Sequence, residues 1–198
     1  DPVARPFLKW AGGKAKLVPQ LLEFFPPSFG RYFEPFLGGG AVFFGLHPEA
    51  ASLSDANDEL VNAWRVVQED PEALLRFLDC HVASHSEVYY YGVRAEKADD
   101  EVVRAARFLY LNRAGFNGLY RVNRKGAFNV PWGKHERVAF DEANLRAVSR
   151  ALVGVRIRAA GYEEAVSAAQ AGDLCYFDPP YDVQSKTARF TGFTEGGF

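Results

Sequence analysis

The sequence predicts an α/β fold, in which strands that end in acidic residues alternate with helices. Residues 173–177 form a short apolar and aromatic segment typical of a buried strand, and Asp178 follows it directly. Residues 52–55 form a second short strand that also ends in an acid, Asp55. Acids at strand ends lie at the mouth of an α/β sheet, where open sheets bind ligands. With 198 residues, the chain is long enough for one substantial core and an inserted subdomain.

The composition favours a globular protein, because 48% of the residues are hydrophobic and 15% are aromatic. No apolar run approaches the roughly 18 residues of a membrane span, and we expect no signal peptide. Cys80 and Cys175 lack the spacing of metal ligands, and Cys175 lies in a predicted buried strand. We therefore expect reduced thiols, no metal site, no membrane partner and a cytoplasmic location.

The net charge of −2 conceals an uneven distribution along the chain. Residues 47–101 carry thirteen acids against four Lys or Arg, whereas residues 104–137 carry eight Lys or Arg against one acid. A charged run is usually only a solvated surface. A basic block interleaved with aromatic residues in an acidic protein is more typical of polyanion binding.

Residues 6–14 form a Gly-Gly turn flanked by an aromatic residue and two lysines, and they precede a helix over residues 17–25 that Pro26 and Pro27 end. The Gly-Gly-Lys sequence lacks the spacing of a phosphate loop and the Ser or Thr after the lysine. By itself it therefore favours a tight turn with solvated lysines.

Residues 31–44 predict a strand, a glycine turn and the start of a helix, an arrangement that lets a ligand approach backbone N–H groups. Asp55 lies nineteen residues after Phe36, the usual interval for an acid that hydrogen-bonds a ribose. Phe43 stands where the dinucleotide fingerprint requires its third glycine. We therefore expect a nucleoside-bearing cofactor other than NAD.

Helices account for much of the rest of the chain. Asn57 is the predicted cap of a helix over residues 60–67, Asp70 and Pro71 begin another, and a third covers residues 102–110. Further predicted elements are a helix capped by Asp141, a strand over residues 153–158, a short helix from Tyr162 to about Gln170, and Gly172 just past the end of that helix.

Residues 112–133 differ from their helical surroundings. Asn117-Gly118 is a turn signal, and residues 124–126 form another turn between short β-like runs. Asn, Arg and aromatic residues on an exposed hairpin suit the reading of base edges and stacking on bases. An ordinary glycine-rich basic loop explains this composition equally well.

Asp178, Pro179, Pro180 and Tyr181 form the most informative tetrapeptide. Its two prolines remove N–H donors and hold the backbone extended, which leaves a carboxylate, proline carbonyls and an aromatic face. A planar group with an exocyclic NH2 fits there, its amino hydrogens on Asp178 and the Pro179 carbonyl and its ring on Tyr181. A strand that merely ends in a proline turn is the simpler interpretation for a single Asp-Pro.

Residues 7–14, 33–40, 54–55, 112–133 and 178–181 resemble, in the same order, the motifs of the Dam-type DNA adenine-N6 methyltransferases, the alpha group of class D12. The resemblance implies a doubly wound, Rossmann-like sheet that binds S-adenosylmethionine, interrupted by a helical, hairpin-bearing recognition subdomain. It divides the chain into a catalytic part over residues 1–56, a target-recognition insert over residues 57–140, and a continued catalytic part over residues 141–198.

The resemblance implies methyl transfer from S-adenosylmethionine to the N6 amino group of a flipped adenine in double-stranded DNA, within GATC. The expected setting is the cytoplasm of a bacterium or a phage host, at the nucleoid, either alone or beside a cognate restriction endonuclease. The implied catalytic residues are Asp178, Pro179, Pro180 and Tyr181. The implied cofactor-binding residues are Trp10, Lys14, Phe36, Gly38, Gly40, Asp55, Tyr162 and Asp178.

The resemblance also assigns DNA contacts, at Lys9, Phe116, Asn117, Leu119, Arg121, Arg124, Pro131 and Lys134. Arg121 is the candidate for a bidentate contact to guanine, with Leu119 and Pro131 against a thymine methyl. Lys9 is expected near the first guanine, and Phe116 and Asn117 in the gap left by the flipped adenine.

Members of this family continue past the tetrapeptide with further helices and strands, whereas this sequence stops at Phe198. We therefore expect a fragment of a longer chain, or a second polypeptide that completes the sheet and covers its edge. Two other functions stay open: a non-catalytic DNA-binding fragment or subunit, and an amino-methyltransferase that acts on RNA, which is not expected to carry residues 112–133. Phe43 disfavours an NAD oxidoreductase.

Overall fold

Residues 3–180 are described by the structure, a computed structural model. In this range four strands form one parallel sheet: β1 (Tyr32–Glu34), β2 (Ala51–Asp55), β3 (Arg156–Ala159) and β4 (Leu174–Cys175). Every neighbouring pair is parallel, with Tyr32 beside both Ala51 and Leu174. The α/β prediction is therefore confirmed, and the sheet is consistent with a Rossmann-like methyltransferase fold.

The strand order β3-β2-β1-β4 reverses the direction of winding at β1. The chain first moves from β1 to β2 and β3 on one side and then returns to place β4 on the other side. In open parallel sheets, ligands bind outside the carboxyl ends of the strands at such a switch point. Glu34, Asp55 and Asp178 stand at or just after the carboxyl ends of the three strands concerned.

The described range also contains eight α-helices, and one short 3-10 turn (Phe116–Gly118) follows the sixth. They are α1 (Val18–Leu22), α2 (Ala41–Leu46), α3 (Asp58–Glu69), α4 (Pro71–Ser84), α5 (Glu87–Ala95), α6 (Glu101–Ala114), α7 (Glu142–Ala151) and α8 (Tyr162–Ala165). The predicted caps Asn57, Asp70 and Asp141 are confirmed, since each side chain accepts the N–H of the residue three positions on.

Four predicted boundaries were wrong because tight i→i+3 turns replace helix or strand, or because strand pairing is short. The strand predicted over residues 153–158 begins only at Arg156, after a turn in which the Val155 N–H donates to Leu152 O. The first helix ends at Leu22, where backbone bonds shift to turns, for example from Phe25 N–H to Leu22 O. The last helix ends at Ala165, so Gly172 lies in a later turn with φ 92°. The strand β4 has only two residues, and both are half-buried instead of buried, since β1 is its sole partner among residues 3–180.

Helix α5 was not predicted. Ser86 caps it by accepting the N–H of Tyr89, but its three consecutive tyrosines and Gly92 obscure the helical pattern. Its stability comes from packing, because Tyr90 and Val93 are buried against α6 residues such as Tyr110. Cys80 is exposed, Cys175 is half-buried, and both are free thiols, as predicted.

The main core joins the sheet to α3, α4, α6 and α7, and Trp64 of α3 is its largest fully buried side chain. Trp64 stacks on Phe44 at 5.6 Å between ring centroids and meets Phe7 edge-on at 4.8 Å. Its Nε1 donates to Gly38 O at 3.1 Å, so the core directly supports the glycine turn after β1. A second, smaller core joins α5 to α6 and Val138.

Of residues 112–133, the first three end helix α6 and the rest form an irregular loop instead of the predicted hairpin. The predicted turns are present, at Phe116–Gly118 and at residues 123–126. The β-like runs are reduced to two isolated antiparallel bridges, Gly115 with Trp132 and Val122 with Phe128. One reason is that the Asn123 side chain, not a strand partner, accepts the N–H groups of Lys125 and Ala127.

Between residues 3 and 180, no helix is long and apolar enough to cross a membrane. In the same range, no group of three or more His, Cys, Asp or Glu side chains is arranged to hold a metal ion.

Candidate active site

The carboxylate of Asp55 organises the turn that follows β1. Its Oδ2 accepts the N–H of Gly38 at 3.1 Å, and its Oδ1 accepts the N–H of Asn57 at 3.0 Å. Burial raises the pKa of Asp55, while the backbone N–H groups of Asn57, Gly38 and Ala56 act in the opposite direction. Asp55 thus joins the ends of β1 and β2, and the three N–H groups leave one of its four carboxylate lone pairs for a hydroxyl donor.

The glycine turn packs tightly against two indole rings. Gly38 has φ 48° and Gly40 has φ 65°, values that favour glycine. A Cβ on Gly38 would lie 2.6 Å from Trp10 Cδ1, and a Cβ on Gly40 would lie 2.5 Å from Trp64 Cη2. The two glycines therefore allow Trp10 to close over the turn from outside while Trp64 supports it from the core.

Lys14 brings the N-terminal segment to the end of β4. Its Nζ donates to Asp178 Oδ2 at 2.7 Å and to Gly12 O at 2.8 Å. The ion pair is partly shielded, with 14% of the Lys14 side chain and 25% of the Asp178 side chain exposed. Two residues that lie 164 positions apart in the sequence thus meet at the switch point of the sheet.

Aromatic rings form one wall beside these carboxylates. Phe36 stacks on Tyr162 at 5.9 Å between centroids and lies 6.5 Å from Phe177. Tyr162 and Phe177 keep 44% and 46% of their surface exposed, so the wall faces solvent. Phe36 and Tyr162 were predicted to line the cofactor cleft, whereas Phe177 was not.

Glu34 is a third acid at this edge, and the sequence reading overlooked it. Its side chain is only 3% exposed, and Tyr32 OH donates to its Oε2 at 2.9 Å. Burial is the largest cause that raises the pKa of Glu34, and the charges of Asp178 and Asp55 also raise it, whereas hydrogen bonds from Tyr32 OH and the Phe43 N–H lower it. Together these effects place the pKa at about 8. The only signal in the sequence was an acid that ends an otherwise apolar strand.

Lys9 and the Phe116–Gly118 turn are joined by Asn112, a buried residue of α6. Asn112 Oδ1 accepts the Lys9 N–H at 2.9 Å, and its Nδ2 donates to Lys9 O at 2.8 Å and to Gly118 O at 3.1 Å. Phe116 on this turn is 49% exposed, and Asn117 has φ 55°. The predicted DNA-contact residues Lys9, Phe116 and Asn117 are therefore neighbours on the surface.

Arg121 is exposed and lies opposite Asn129 across the 123–126 turn. Its Nε donates to Asn129 Oδ1 at 2.7 Å and its Nη2 donates to Asn129 O at 3.1 Å. Of the other predicted DNA contacts, Leu119 is half-buried, and three are exposed: Arg124, Pro131 and Lys134.

The predicted residues thus fall into two groups. One group meets at the carboxyl edge of the sheet: Trp10, Lys14, Phe36, Gly38, Gly40, Asp55, Tyr162 and Asp178. The other belongs to the basic loop and to Lys9 beside it. Pro179 is exposed and Pro180 is half-buried, whereas the predicted role of Tyr181 lies outside the described residues.

Comparison with known proteins identifies the family. A family model described as D12 class N6 adenine-specific DNA methyltransferase matches residues 10–198. The chain belongs to this family. It is thus an adenine-specific DNA methyltransferase, as its motifs predicted.

Several known proteins resemble the chain over nearly its whole length. The Type II methyltransferase M1.LlaDCHI of Lactococcus lactis subsp. cremoris is 42% identical, over 98% of this chain and 72% of the relative. The Type II methyltransferase M.MjaIII of Methanocaldococcus jannaschii is 40% identical, over 98% and 75%. The DNA adenine methylase of Escherichia coli K12 is 34% identical, over 98% and 71%. These relatives are named either Type II methyltransferase or DNA adenine methylase, and both names describe methylation.

Proposed function

We propose that this D12 methyltransferase moves a methyl group from S-adenosylmethionine to the N6 amino group of an adenine flipped out of duplex DNA, within GATC. One observation carries the proposal: the Lys14–Asp178 ion pair lies at the same sheet edge as Asp55 and the Gly38 turn. Asp178 can accept hydrogen bonds from an amino group, and it lies beside a cleft that suits a nucleoside-bearing methyl donor. Both are at the switch point of the sheet.

The residues present fit S-adenosylmethionine as the methyl donor. Asp55 offers a carboxylate lone pair for a ribose hydroxyl, and the Phe36–Tyr162 pair offers an aromatic wall for an adenine ring. Trp10 closes the other side of the glycine turn. When bound, S-adenosylmethionine supplies an electrophilic methyl group on a sulfonium.

Asp178 is the proposed acceptor for the target amino group. Lys14 engages Oδ2, and the second carboxylate oxygen can accept one hydrogen of adenine N6. The carbonyl of Pro179 would accept the other hydrogen, and Tyr181 would stack on the ring. Positive charge that develops on N6 is stabilised by the carboxylate in the transition state, which is where a fixed charge contributes most to catalysis.

The target base must leave the helix, because N6 cannot reach Asp178 while the adenine is stacked in the duplex. We propose that Phe116 and Asn117, on the exposed turn next to Lys9, occupy the space that the base leaves. Arg121 would make the bidentate contact to a guanine, and Lys9 would contact the first guanine of the site.

The remaining predicted DNA-contact residues are also proposed to bind the duplex. Leu119 and Pro131 would contact a thymine methyl, and Arg124 and Lys134 would contact the duplex nearby. The basic character of residues 104–137 supports this assignment, because Lys and Arg side chains that neutralise DNA phosphates contribute much of the affinity for DNA.

We propose the division into domains and the partners that the motifs predicted. Residues 57–140 form the recognition insert between two catalytic parts, at residues 1–56 and 141–198. The names of the two Type II relatives support a role in restriction–modification, with a cognate endonuclease as a partner at the nucleoid. A second chain that completes the sheet stays a prediction.

The chemistry is tested by single-turnover methylation of a hemimethylated duplex with one GATC, followed by mass spectrometry of N6-methyladenine. The variant Asp178→Ala should bind the duplex nearly as well as wild type and lose at least about 100-fold in rate. The matched control is Asp79→Ala on the exposed face of α4, which should keep the wild-type rate.

Three further outcomes bear on the proposal. A 2-aminopurine in place of the target adenine should fluoresce more strongly on binding if the base is flipped. Methylation at another base or atom contradicts the proposed function, and an Asp178→Ala rate within a few-fold of wild type removes Asp178 from the mechanism.

A further inference from the structure

Arg121 does not extend loosely from its loop but is tied to Asn129 by three hydrogen bonds. The backbone N–H of Asn129 donates to Arg121 O at 3.0 Å, which sets the two residues opposite each other. The guanidinium then donates from Nε to Asn129 Oδ1 at 2.7 Å and from Nη2 to Asn129 O at 3.1 Å. One residue thus accepts two hydrogen bonds from an exposed guanidinium.

These bonds leave one well-defined edge of the guanidinium for a ligand. A guanidinium carries five N–H donors in a rigid planar fork. Asn129 occupies the side edge formed by Nε and Nη2, so three donors remain on Nη1 and Nη2. The end-on fork is therefore the bidentate edge that stays available to a base.

Asn129 is itself fixed by its neighbours. Val130 is fully buried, and its carbonyl accepts Tyr90 OH at 2.9 Å and Arg94 Nη1 at 3.1 Å. On the other side, Phe128 packs on Tyr120 with 5.7 Å between ring centroids. The support for Arg121 thus reaches the core of the helical region through the residues on both sides of Asn129.

We propose that Asn129 is a positioning residue for base specificity, which holds the Arg121 guanidinium with its end-on fork directed at a guanine. The inference rests on the proposed function, since it takes duplex DNA as the substrate. Guanine presents two acceptors, O6 and N7, in the major groove, whereas adenine presents one acceptor and one donor. A fixed fork discriminates between these patterns.

A guanidinium that is released from Asn129 keeps its charge but can turn to any nearby phosphate. Phosphate contacts contribute affinity without sequence information. Loss of Asn129 should therefore reduce discrimination at one base pair much more than it reduces binding to DNA in general.

The test compares kcat/KM on a hemimethylated GATC duplex with kcat/KM on duplexes that each carry one replaced base pair. In the variant Asn129→Ala, discrimination should fall at least about tenfold at a single base pair, the same pair that Arg121→Ala affects. The double variant should lose no more than Arg121→Ala alone, because the two residues act as one unit.

Two variants separate positioning from folding and from charge. Asn129→Asp keeps an oxygen that can accept from Arg121 Nε, so it should restore discrimination while weakening binding to every duplex alike. Lys125→Ala, on the exposed 123–126 turn, should lower affinity for all duplexes without changing their ratio. The Arg121 Nε–H signal in an NMR spectrum should exchange slowly in wild type and in Asn129→Asp, and fast in Asn129→Ala.

The outcomes distinguish this inference from the proposed function. If wild type methylates no duplex, or methylates all of them equally, both are wrong. If Arg121→Ala loses discrimination at one base pair but Asn129→Ala does not, the positioning role alone is overturned. The positioning role is also overturned if Asn129→Ala lowers kcat/KM on all duplexes by the same factor. The same holds if the double variant loses more discrimination than Arg121→Ala alone.

Discussion

Glu34 provides a direct test of how burial acts on the carboxylates at this sheet edge. Its ordinary pKa of 4.5 rises to about 8 in the fold, first because the side chain is buried and then because Asp178 and Asp55 lie near it. Burial also raises the pKa of Tyr32, so its hydroxyl keeps its proton and donates to Glu34. Glu34 is therefore mostly protonated at neutral pH, which reduces the negative charge next to Asp178.

The raised pKa makes the free energy of unfolding depend on pH. The folded state keeps a proton that the unfolded chain releases, so this contribution to stability is full below pH 4.5 and is lost as the pH rises through about 8. Each pH unit between these values contributes about 1.4 kcal/mol, so the complete effect is on the order of 5 kcal/mol.

Urea unfolding of wild type and Glu34→Gln across this pH range measures the effect. Glutamine keeps an oxygen that can accept from Tyr32 OH but carries no charge at any pH, so the variant should lack this part of the pH dependence. Wild type should lose several kcal/mol relative to the variant between about pH 5 and pH 8. The control Glu49→Gln, at an exposed position, should follow wild type. If wild type and Glu34→Gln give parallel curves, Glu34 is not held protonated by the fold.

Three further changes test the turn, the buried amide and a helix. Gly38→Ala places a Cβ 2.6 Å from Trp10 Cδ1 at a residue with φ 48°, so calorimetry should find at least about tenfold weaker binding of S-adenosylmethionine. Asn112→Ala leaves the Lys9 N–H and Gly118 O without their side-chain partner, and urea unfolding should give a loss of about 1–3 kcal/mol. Gly92→Ala, in α5, adds a Cβ that would meet no atom within 4 Å and should stabilise the protein by about 0.5–1 kcal/mol; a loss of stability would show that the position is crowded.

The sequence by itself determined the features that depend on near neighbours. Asn57, Asp70 and Asp141 cap helices through bonds to N–H groups three residues on, so a few letters were enough to predict them. Asp55 at the end of β2 and Asp178 after β4 were predicted in the same way, because a short strand-like run that ends in an acid is a local pattern. The order of the motifs then indicated the family.

Only the tertiary structure decided which of these features meet. The Lys14–Asp178 pair joins residues 164 positions apart, and it exists because β4 pairs with the free side of β1. The pKa of Glu34 and the hold of Asn129 on Arg121 likewise depend on burial and on packing by distant segments. Local hydrogen bonds are specified by adjacent residues, whereas strand pairing, desolvation and long-range contacts depend on the packing of the whole core, which no short stretch of sequence specifies.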